Sequence, residues 1–462
     1  MVYSTCTFNT HENEGVIRGF LTDHPDFRAE PFSLEPAGEL TAITTDSRNA
    51  VAGALFAAIV GERADGHDFL AAARDKGAVC ALVAHEVECD LPQLIVPSTE
   101  DALQTLSAYY RSQFSLPVIG VTGSVGKTTA KEMIAAVLSR RFHTLKTEKN
   151  FNNELGVPFT LFRLRPEHEA AVVEMGISGF GEMTRLSRMV KPDIAVFTLI
   201  GDAHLEFLKS REGVLKAKGE IVSAMKPDGL VLANGDDPLL RAHDFGRETL
   251  LFGFGENCAL RAVNVRGDGE GTSCDFLWQE RRIPVRIPAY GRHMVYAALM
   301  GAAVGLRLGL TDEQIAAGIA DYEAVGHRSR VLKTARWTIV DDCYNSNPTS
   351  AAAAIRSLLD LGGRPAAILG DMLELGGQSE ALHRQLGAFA AENGVRVIAC
   401  GELAKAIAEG AGAGARWFET TAELMDALAE LVSDGDAILV KASRRMRFED
   451  ITERLAALGD RA

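Results

Sequence analysis

Residues 118–132, VIGVTGSVGKTTAKE, carry the side-chain types and spacing that hold a nucleoside triphosphate. An apolar run that predicts a buried strand leads into a glycine-rich turn, and a predicted helix opens with Lys127, Thr128 and Thr129. Glycine lets backbone N–H groups approach phosphate oxygens, and a helix N-terminus aims unpaired donors and a dipole at the anion. Lys127 would neutralise charge between the β- and γ-phosphates, and the Thr128 hydroxyl would ligate Mg²⁺. The spacing departs from GxxxxGK[ST]. Val121 stands where that pattern has its first glycine, so the loop is a shorter one: Gly123, Ser124, Val125, Gly126. The alternative is a plain glycine turn before a helix; Gly–Lys–Thr–Thr directly after an apolar strand argues against it.

Further polar residues fall where phosphoryl transfer needs them. Glu174 ends the apolar run AAVVE. Ligands of open α/β sheets collect beyond the carboxyl ends of strands, which places this carboxylate for Mg²⁺; a solvated strand-end glutamate is the alternative. His204 follows the next predicted strand, in TLIGDAHLEF, where a lone histidine near a turn is more often structural than a ligand. Lys218 lies in VLKAKGEIV, on a helix predicted to start near Gly213; by position alone a surface lysine is the plainer reading, and Lys216 stands beside it. In IVDDCYNSNPTSAAAAI, Asp341 and Asp342 end a predicted strand, Asn345 and Asn347 suit turns, and Pro348 suits a helix start. Asp and Asn at that strand end also suit ribose or metal recognition.

These residues need a scaffold, and 462 residues imply about two to four domains. A net charge of −14 and a pI near 5.4 argue against a nucleic-acid partner. The N-terminus shows no basic start before an apolar core, and no apolar run approaches the roughly 18 residues of a membrane span, so no membrane partner is expected. The seven cysteines are scattered without CxxC spacing, which suits reduced thiols in a cytoplasm. Strand-like and helix-like runs alternate almost throughout, the signature of parallel α/β layers. Strands are predicted at 78–84, 93–97, 170–174, 193–200, 229–233 and 250–253, hairpin material at 259–288 and a helix at 294–308. A further unit starts near Trp337, with strands at 337–340, 366–369, 396–400 and 437–440, each but the last followed by a helix. Residues 1–35 show weak periodicity and are expected to be partly disordered.

Together these stretches resemble the Mur ligases, ATP-dependent enzymes that add amino acids to the peptidoglycan precursor, over roughly residues 38–455. The short phosphate loop is that family's own form. The resemblance implies three α/β domains: a UDP-sugar-binding one at 36–114, a central P-loop mononucleotide-binding one at 115–326, and a Rossmann-like C-terminal one at 327–462. TTDSR resembles the UDP-binding segment with Ser47 and Arg48, and TEKNFNNELGVPFTL the substrate-facing segment with Asn152 and Asn153. VVEMGISGFGEM carries Glu174 as a magnesium ligand and Ser178 toward substrate; His204 matches the ligand of a second magnesium, and Lys218 a carbamylated lysine. GRHMVYAAL with His293, GHR with Arg328, and DDCYNSNPTS with Asp342 and Asn345 resemble nucleotide-contacting segments. LGDMLELG at 369–376 points to the branch that adds D-alanyl-D-alanine. Met294 and Ala297 stand where the family often has asparagine, Ala442 replaces the glycine of KGSR, and Cys343 is expected to be an ordinary small residue.

The chemistry so implied is transfer of the ATP γ-phosphoryl group to the carboxylate of UDP-N-acetylmuramoyl-tripeptide, giving an acyl phosphate that the amine of D-alanyl-D-alanine attacks. Lys127, Glu174, His204 and Lys218 would carry it, with Thr128, Glu174, His204 and Lys218 holding two Mg²⁺ ions, in a cytoplasmic monomer that closes about hinges near 322–331 and Ser115. The rivals are another amide ligase on this scaffold, such as a different Mur enzyme or folylpolyglutamate synthase, and a P-loop NTPase that ligates nothing.

Overall fold

The computed structural model describes residues 40–61, 64–267 and 271–460, so the tail expected at 1–35 lies outside the described residues. The chain divides into two compact units. The first takes the chain up to Leu116 with Glu148–His168 and Arg188–Val190; the second takes Pro117–Thr147, Glu169–Ser187 and the chain from Lys191 on.

The first unit is built on a parallel sheet of β1 (Ala42–Thr44), β2 (Ala54–Ala57), β3 (Ala78–Val83) and β4 (Gln93–Ile95), in that order. Side chains alternate across a strand, so Leu55, Ala57, Cys80 and Leu82 enter one apolar core while Phe56, Ala58, Ala81 and Val83 enter another. Burial on both faces is why 78–84 reads as an unbroken apolar run. The helix Thr99–Ser112 covers one face, capped by Ser98 Oγ accepting from Asp101 N at 3.2 Å. Against it packs the helix Gly156–Leu161, where Tyr110 Oη donates to Leu164 O at 2.7 Å.

In the second unit one sheet runs β13-β12-β11-β10-β9-β8-β5-β7-β6. Its strands are β5 (Val118–Thr122), β6 (Thr144–Lys146), β7 (Ala170–Glu174), β8 (Ile194–Phe197), β9 (Leu230–Asn234), β10 (Glu248–Gly253), β11 (Leu260–Gly267), β12 (Thr272–Trp278) and β13 (Arg281–Ile287). Strands β5 to β10 pair in parallel, and the hairpin material of 259–288 becomes the antiparallel β11-β12-β13 extension. The helix Lys127–Leu138 packs on the helix Arg292–Arg307, whose Met294 and Ala297 are both 2% exposed; apolar side chains suit that core.

A second sheet of this unit runs β14-β15-β19-β16-β17-β18: β14 (Arg330–Lys333), β15 (Thr338–Asp341), β16 (Arg364–Gly370), β17 (Arg396–Cys400), β18 (Arg416–Phe418) and β19 (Asp436–Lys441). Only the edge strand β14 is antiparallel. Two details differ from expectation. The last strand is followed by a helix after all, Glu449–Gly459, which packs near β15. The helix bearing Lys218 starts at Arg211, because Ser210 Oγ accepts from Gly213 N at 3.2 Å and caps it there. No described helix is long and apolar enough to cross a membrane.

Candidate active site

Three neighbouring parallel strands, β7, β5 and β8, end together, and the polar residues follow their carboxyl ends. Gly123 leaves β5 at φ 140°, and a Cβ there would lie 1.9 Å from Thr198 Oγ1, so only glycine fits. The loop is shaped by the chain after β8: Ser124 N donates to Leu199 O at 2.9 Å, Thr198 Oγ1 to Val125 O at 2.5 Å, and Gly201 N to Ser124 Oγ at 2.9 Å. Gly126, at φ 81°, precedes the helix without capping it through a side chain. The N–H groups at Lys127, Thr128 and Thr129 therefore open toward the loop.

Thr128 Oγ1 donates to Glu174 Oε2 at 2.8 Å, and both side chains are buried. A hydroxyl and a carboxylate meeting at one point are donors that a hard divalent cation takes. Lys127 Nζ donates to Gly123 O at 2.9 Å. Burial pulls its ammonium below the ordinary lysine range; Glu174 opposes that shift and the Arg328 guanidinium adds to it. Lys218 is fully buried, and its Nζ has no hydrogen-bond partner among the described residues. Burial holds it well below the usual lysine range, the Lys127 charge pushes it further down, and Glu182 opposes. Lys216 is exposed, its Nζ 5.9 Å from the Phe180 ring, so position 218 is the one that turns inward. Two cations, Lys127 and Arg328, beside a buried amine at Lys218 describe a site made for a polyanion.

His204, at φ 54°, follows β8, with Nδ1 2.6 Å from Glu374 Oε2. Its loop is tied down by Ile200 N donating to Asp237 Oδ2 at 2.7 Å and by Asp202 N donating to Thr349 Oγ1 at 3.2 Å. Glu374, Asp237 and Thr349 are not among the sequence-predicted site residues; only LGDMLELG carried a signal, as a motif without a role for its glutamate.

Of the other nucleotide candidates, Asp342 and Asn345 follow the carboxyl end of β15, Arg328 precedes β14, and His293 opens the helix Arg292–Arg307. Arg328 lies over the Tyr344 ring at 3.8 Å, and Ser329 N donates to Asp342 Oδ1 at 2.9 Å. Lys441 Nζ donates to Asp342 Oδ2 at 2.6 Å and to Asn345 O at 2.9 Å. His293 bonds Ser357 Oγ through Nδ1 at 3.2 Å, while its buried Nε2 has no partner among the described residues. Cys343 is more than a small filler: its Sγ donates to Asp341 Oδ1 at 3.0 Å, and Asp341 also meets His327 Nδ1 at 2.7 Å.

Ser47, Arg48, Asn152 and Asn153 lie in the first unit. Arg48 is exposed and bonded to Asp46, its Nη2 2.8 Å from Oδ2, and Asn153 Oδ1 accepts from Gly156 N at 2.8 Å. This unit also holds a cavity of about 270 Å³ walled by Ile43, Tyr110, Phe151, Phe159 and Phe162. Ser178 is in the second unit, exposed, with its N donating to Glu182 Oε2 at 2.9 Å.

Family models described as "Mur ligase family, catalytic domain", "Mur ligase middle domain" and "Mur ligase, glutamate ligase domain" match residues 39–112, 121–305 and 327–444. The chain is 38% identical to a UDP-N-acetylmuramoyl-tripeptide–D-alanyl-D-alanine ligase of Escherichia coli over 91% of this chain and 94% of that one. It is 38% identical to the Bacillus subtilis enzyme of the same name, over 89% and 92%. Among solved structures it resembles MurF from Acinetobacter baumannii, with TM-score 0.87, 35% identity and coverage of 91% and 94%. MurF from Thermotoga maritima in complex with ADP gives TM-score 0.84, 30% identity and coverage of 92% and 99%. A Mycobacterium tuberculosis folylpolyglutamate synthase, at 17% identity and TM-score 0.61, shares the fold alone.

Proposed function

This chain belongs to the Mur ligase family, and on that premise we infer how the groups around Lys127 divide the work. The chain is an ATP-dependent, ADP-forming ligase that joins D-alanyl-D-alanine to UDP-N-acetylmuramoyl-tripeptide in peptidoglycan synthesis. A carboxylate is a poor electrophile, so it must be activated before an amine can attack it. We propose that the terminal carboxylate of the tripeptide attacks the γ-phosphorus of ATP. An O–P bond forms, the β–γ bridging bond breaks, and ADP leaves. The amine of D-alanyl-D-alanine then attacks the acyl carbon, inorganic phosphate departs, and the amine gives up a proton.

The observation that carries this reading is the convergence of Lys127, Arg328 and Lys218, whose Nζ has no hydrogen-bond partner among the described residues, on a loop where Thr128 and Glu174 already meet. Two anions must be brought together in the first step, and Lys127 and Arg328 supply positive charge for it. Gly123 to Thr129 would enclose the phosphates, with His293, Arg328, Asp342 and Asn345 contacting the rest of the nucleotide. Thr128, Glu174, His204 and Lys218 would hold two Mg²⁺ ions, which when bound screen the phosphate and carboxylate oxygens from each other. An ammonium at Lys218 does not suit that role, whereas the neutral amine that burial favours can take up CO₂ as a carbamate and present oxygens. Ser47, Arg48, Asn152, Asn153 and Ser178 would hold the sugar nucleotide and its peptide. On this reading 36–114 serves the UDP-sugar, 115–326 the ATP and 327–462 the dipeptide. ATP as substrate and free cysteines at six described positions support a cytoplasmic location, and we expect a monomer.

Phosphate release from Mg-ATP, with the two acceptors added singly and together, tests this reading. Release that requires both, with a heavier UDP product by mass spectrometry, is expected. Release indifferent to both acceptors would mean an NTPase without ligation.

A further inference from the structure

Glu374 ends up against His204 although they are far apart in the chain. It lies just after β16, in LGDMLELG, on the C-terminal sheet, whereas His204 follows β8 of the ATP-binding sheet. The carboxylate Oε2 is 2.6 Å from His204 Nδ1. Backbone supports the approach: Glu206 N donates to Glu374 O at 3.4 Å, and a Cβ on Gly376 would lie 3.3 Å from Glu206 Cα. Both partners have left-handed backbones, φ 54° at His204 and φ 63° at Glu374, a conformation that disfavours a side-chain-bearing residue. Strain on both sides of one contact implies that the contact is specified. A carboxylate oxygen against Nδ1 favours the proton on that nitrogen and leaves Nε2 as the nitrogen that can ligate.

We propose that Glu374 is the positioning residue for His204, carried by the C-terminal sheet, so that His204 is set to ligate a divalent cation only while that sheet is docked. This rests on the reading of His204 as a metal ligand. A carboxylate behind a ligating histidine fixes ring orientation and tautomer, and its loss typically weakens metal binding about 10- to 100-fold. Here that carboxylate arrives from another sheet, so cation binding and docking must favour one another by the same factor. The LGDMLELG glutamate thereby acquires a role: it makes the metal site sense the sheet on which we place the dipeptide.

The experiment compares the full chain with Glu374→Ala, Glu374→Gln and His204→Gln. Glu374 is half exposed, and circular dichroism would verify that the variants fold. Binding of Mn²⁺ in the presence of the β,γ-methylene analogue of ATP is followed by electron paramagnetic resonance. The His204 imidazole is followed by ¹⁵N NMR in metal-free protein. For Glu374→Ala we expect the weaker Mn²⁺ affinity to fall about 10- to 100-fold and the imidazole to become a mixture of tautomers. Glu374→Gln, whose amide oxygen still accepts from Nδ1, should recover part of both. Unchanged affinity and tautomer in Glu374→Ala, with His204→Gln weakened, would overturn the positioning role and leave the ligand role intact. If His204→Gln also binds Mn²⁺ normally, both fall. Neither readout depends on which acceptors the enzyme uses.

Discussion

Lys218 is the residue whose surroundings make the sharpest demand. A fully buried ammonium without a hydrogen-bond partner among the described residues, beside the cationic Lys127, is unstable in its charged form, and the neutral amine is what reacts with CO₂. Labelled bicarbonate should therefore give a carbamate carbon signal in ¹³C NMR of the native protein and none in Lys218→Ala. Turnover of Lys218→Ala should fall by orders of magnitude, while the exposed Lys216→Ala keeps both signal and rate. A carbamate signal that persists in Lys218→Ala would place the modification elsewhere. Lys127→Ala probes the same crowding from the other side. Removing the Lys127 charge, which burial and Arg328 both disfavour, should leave the ligand-free protein at least as stable in urea, yet cost about 100- to 1000-fold in phosphate release. A large loss of stability in that variant would contradict the cationic crowding.

At the level of elements, the phosphate loop is only as well placed as the helix Lys127–Leu138 that follows it, and close packing holds that helix. A Cβ on Gly318 would lie 2.4 Å from Val137 Cα, and one on Gly301 would lie 3.0 Å from Val137 Cγ2. Gly318→Ala should thus destabilise by about 1–3 kcal/mol, with a matching drop in the urea midpoint and weaker nucleotide binding as the helix shifts. An unaltered midpoint would show that the helices have slack. The same scale explains what the sequence makes legible. β5, β7 and β3 are buried on both sides and read directly as apolar runs. The apolar pattern misses β1, β6, β14 and β18, and each is an edge strand of three or four residues with solvent along one side. It also misses β2, whose ALFA lacks any β-branched residue. Lys127, Thr128 and Glu174 were legible because loop and strand end are local patterns. Glu374, Asp237 and Thr349 were not, because their partners lie on other elements that only the folded chain brings near.

For the molecule as a whole, pH acts through histidines that the fold keeps neutral. His383 is fully buried, with Nε2 accepting from Met372 N at 2.9 Å and Nδ1 2.7 Å from Ser379 O, an arrangement only the neutral ring can make. Burial lowers its pKa below 6.5, opposed by the Ser379 bond and by Asp371; burial lowers that of His293 too. Unfolded histidines titrate near 6.5, so just below that pH the unfolded chain binds more protons than the native one. Stability must then rise with pH across that window and fall as the solution is acidified through it, by at most about 1.4 kcal/mol per pH unit for each proton taken up. Burial raises the Asp371 carboxyl above its usual 3.8, which acts in the opposite direction. Because the pI is near 5.4, the net charge also vanishes as acid is added, so the measurement calls for dilute protein. Urea unfolding at pH 7.5, 6.5 and 5.8 should give falling stabilities in the native protein. His383→Gln should be less stable at pH 7.5 but show a shallower fall, since one of the protons is gone. A slope unchanged by the substitution would assign the acid sensitivity to groups other than His383.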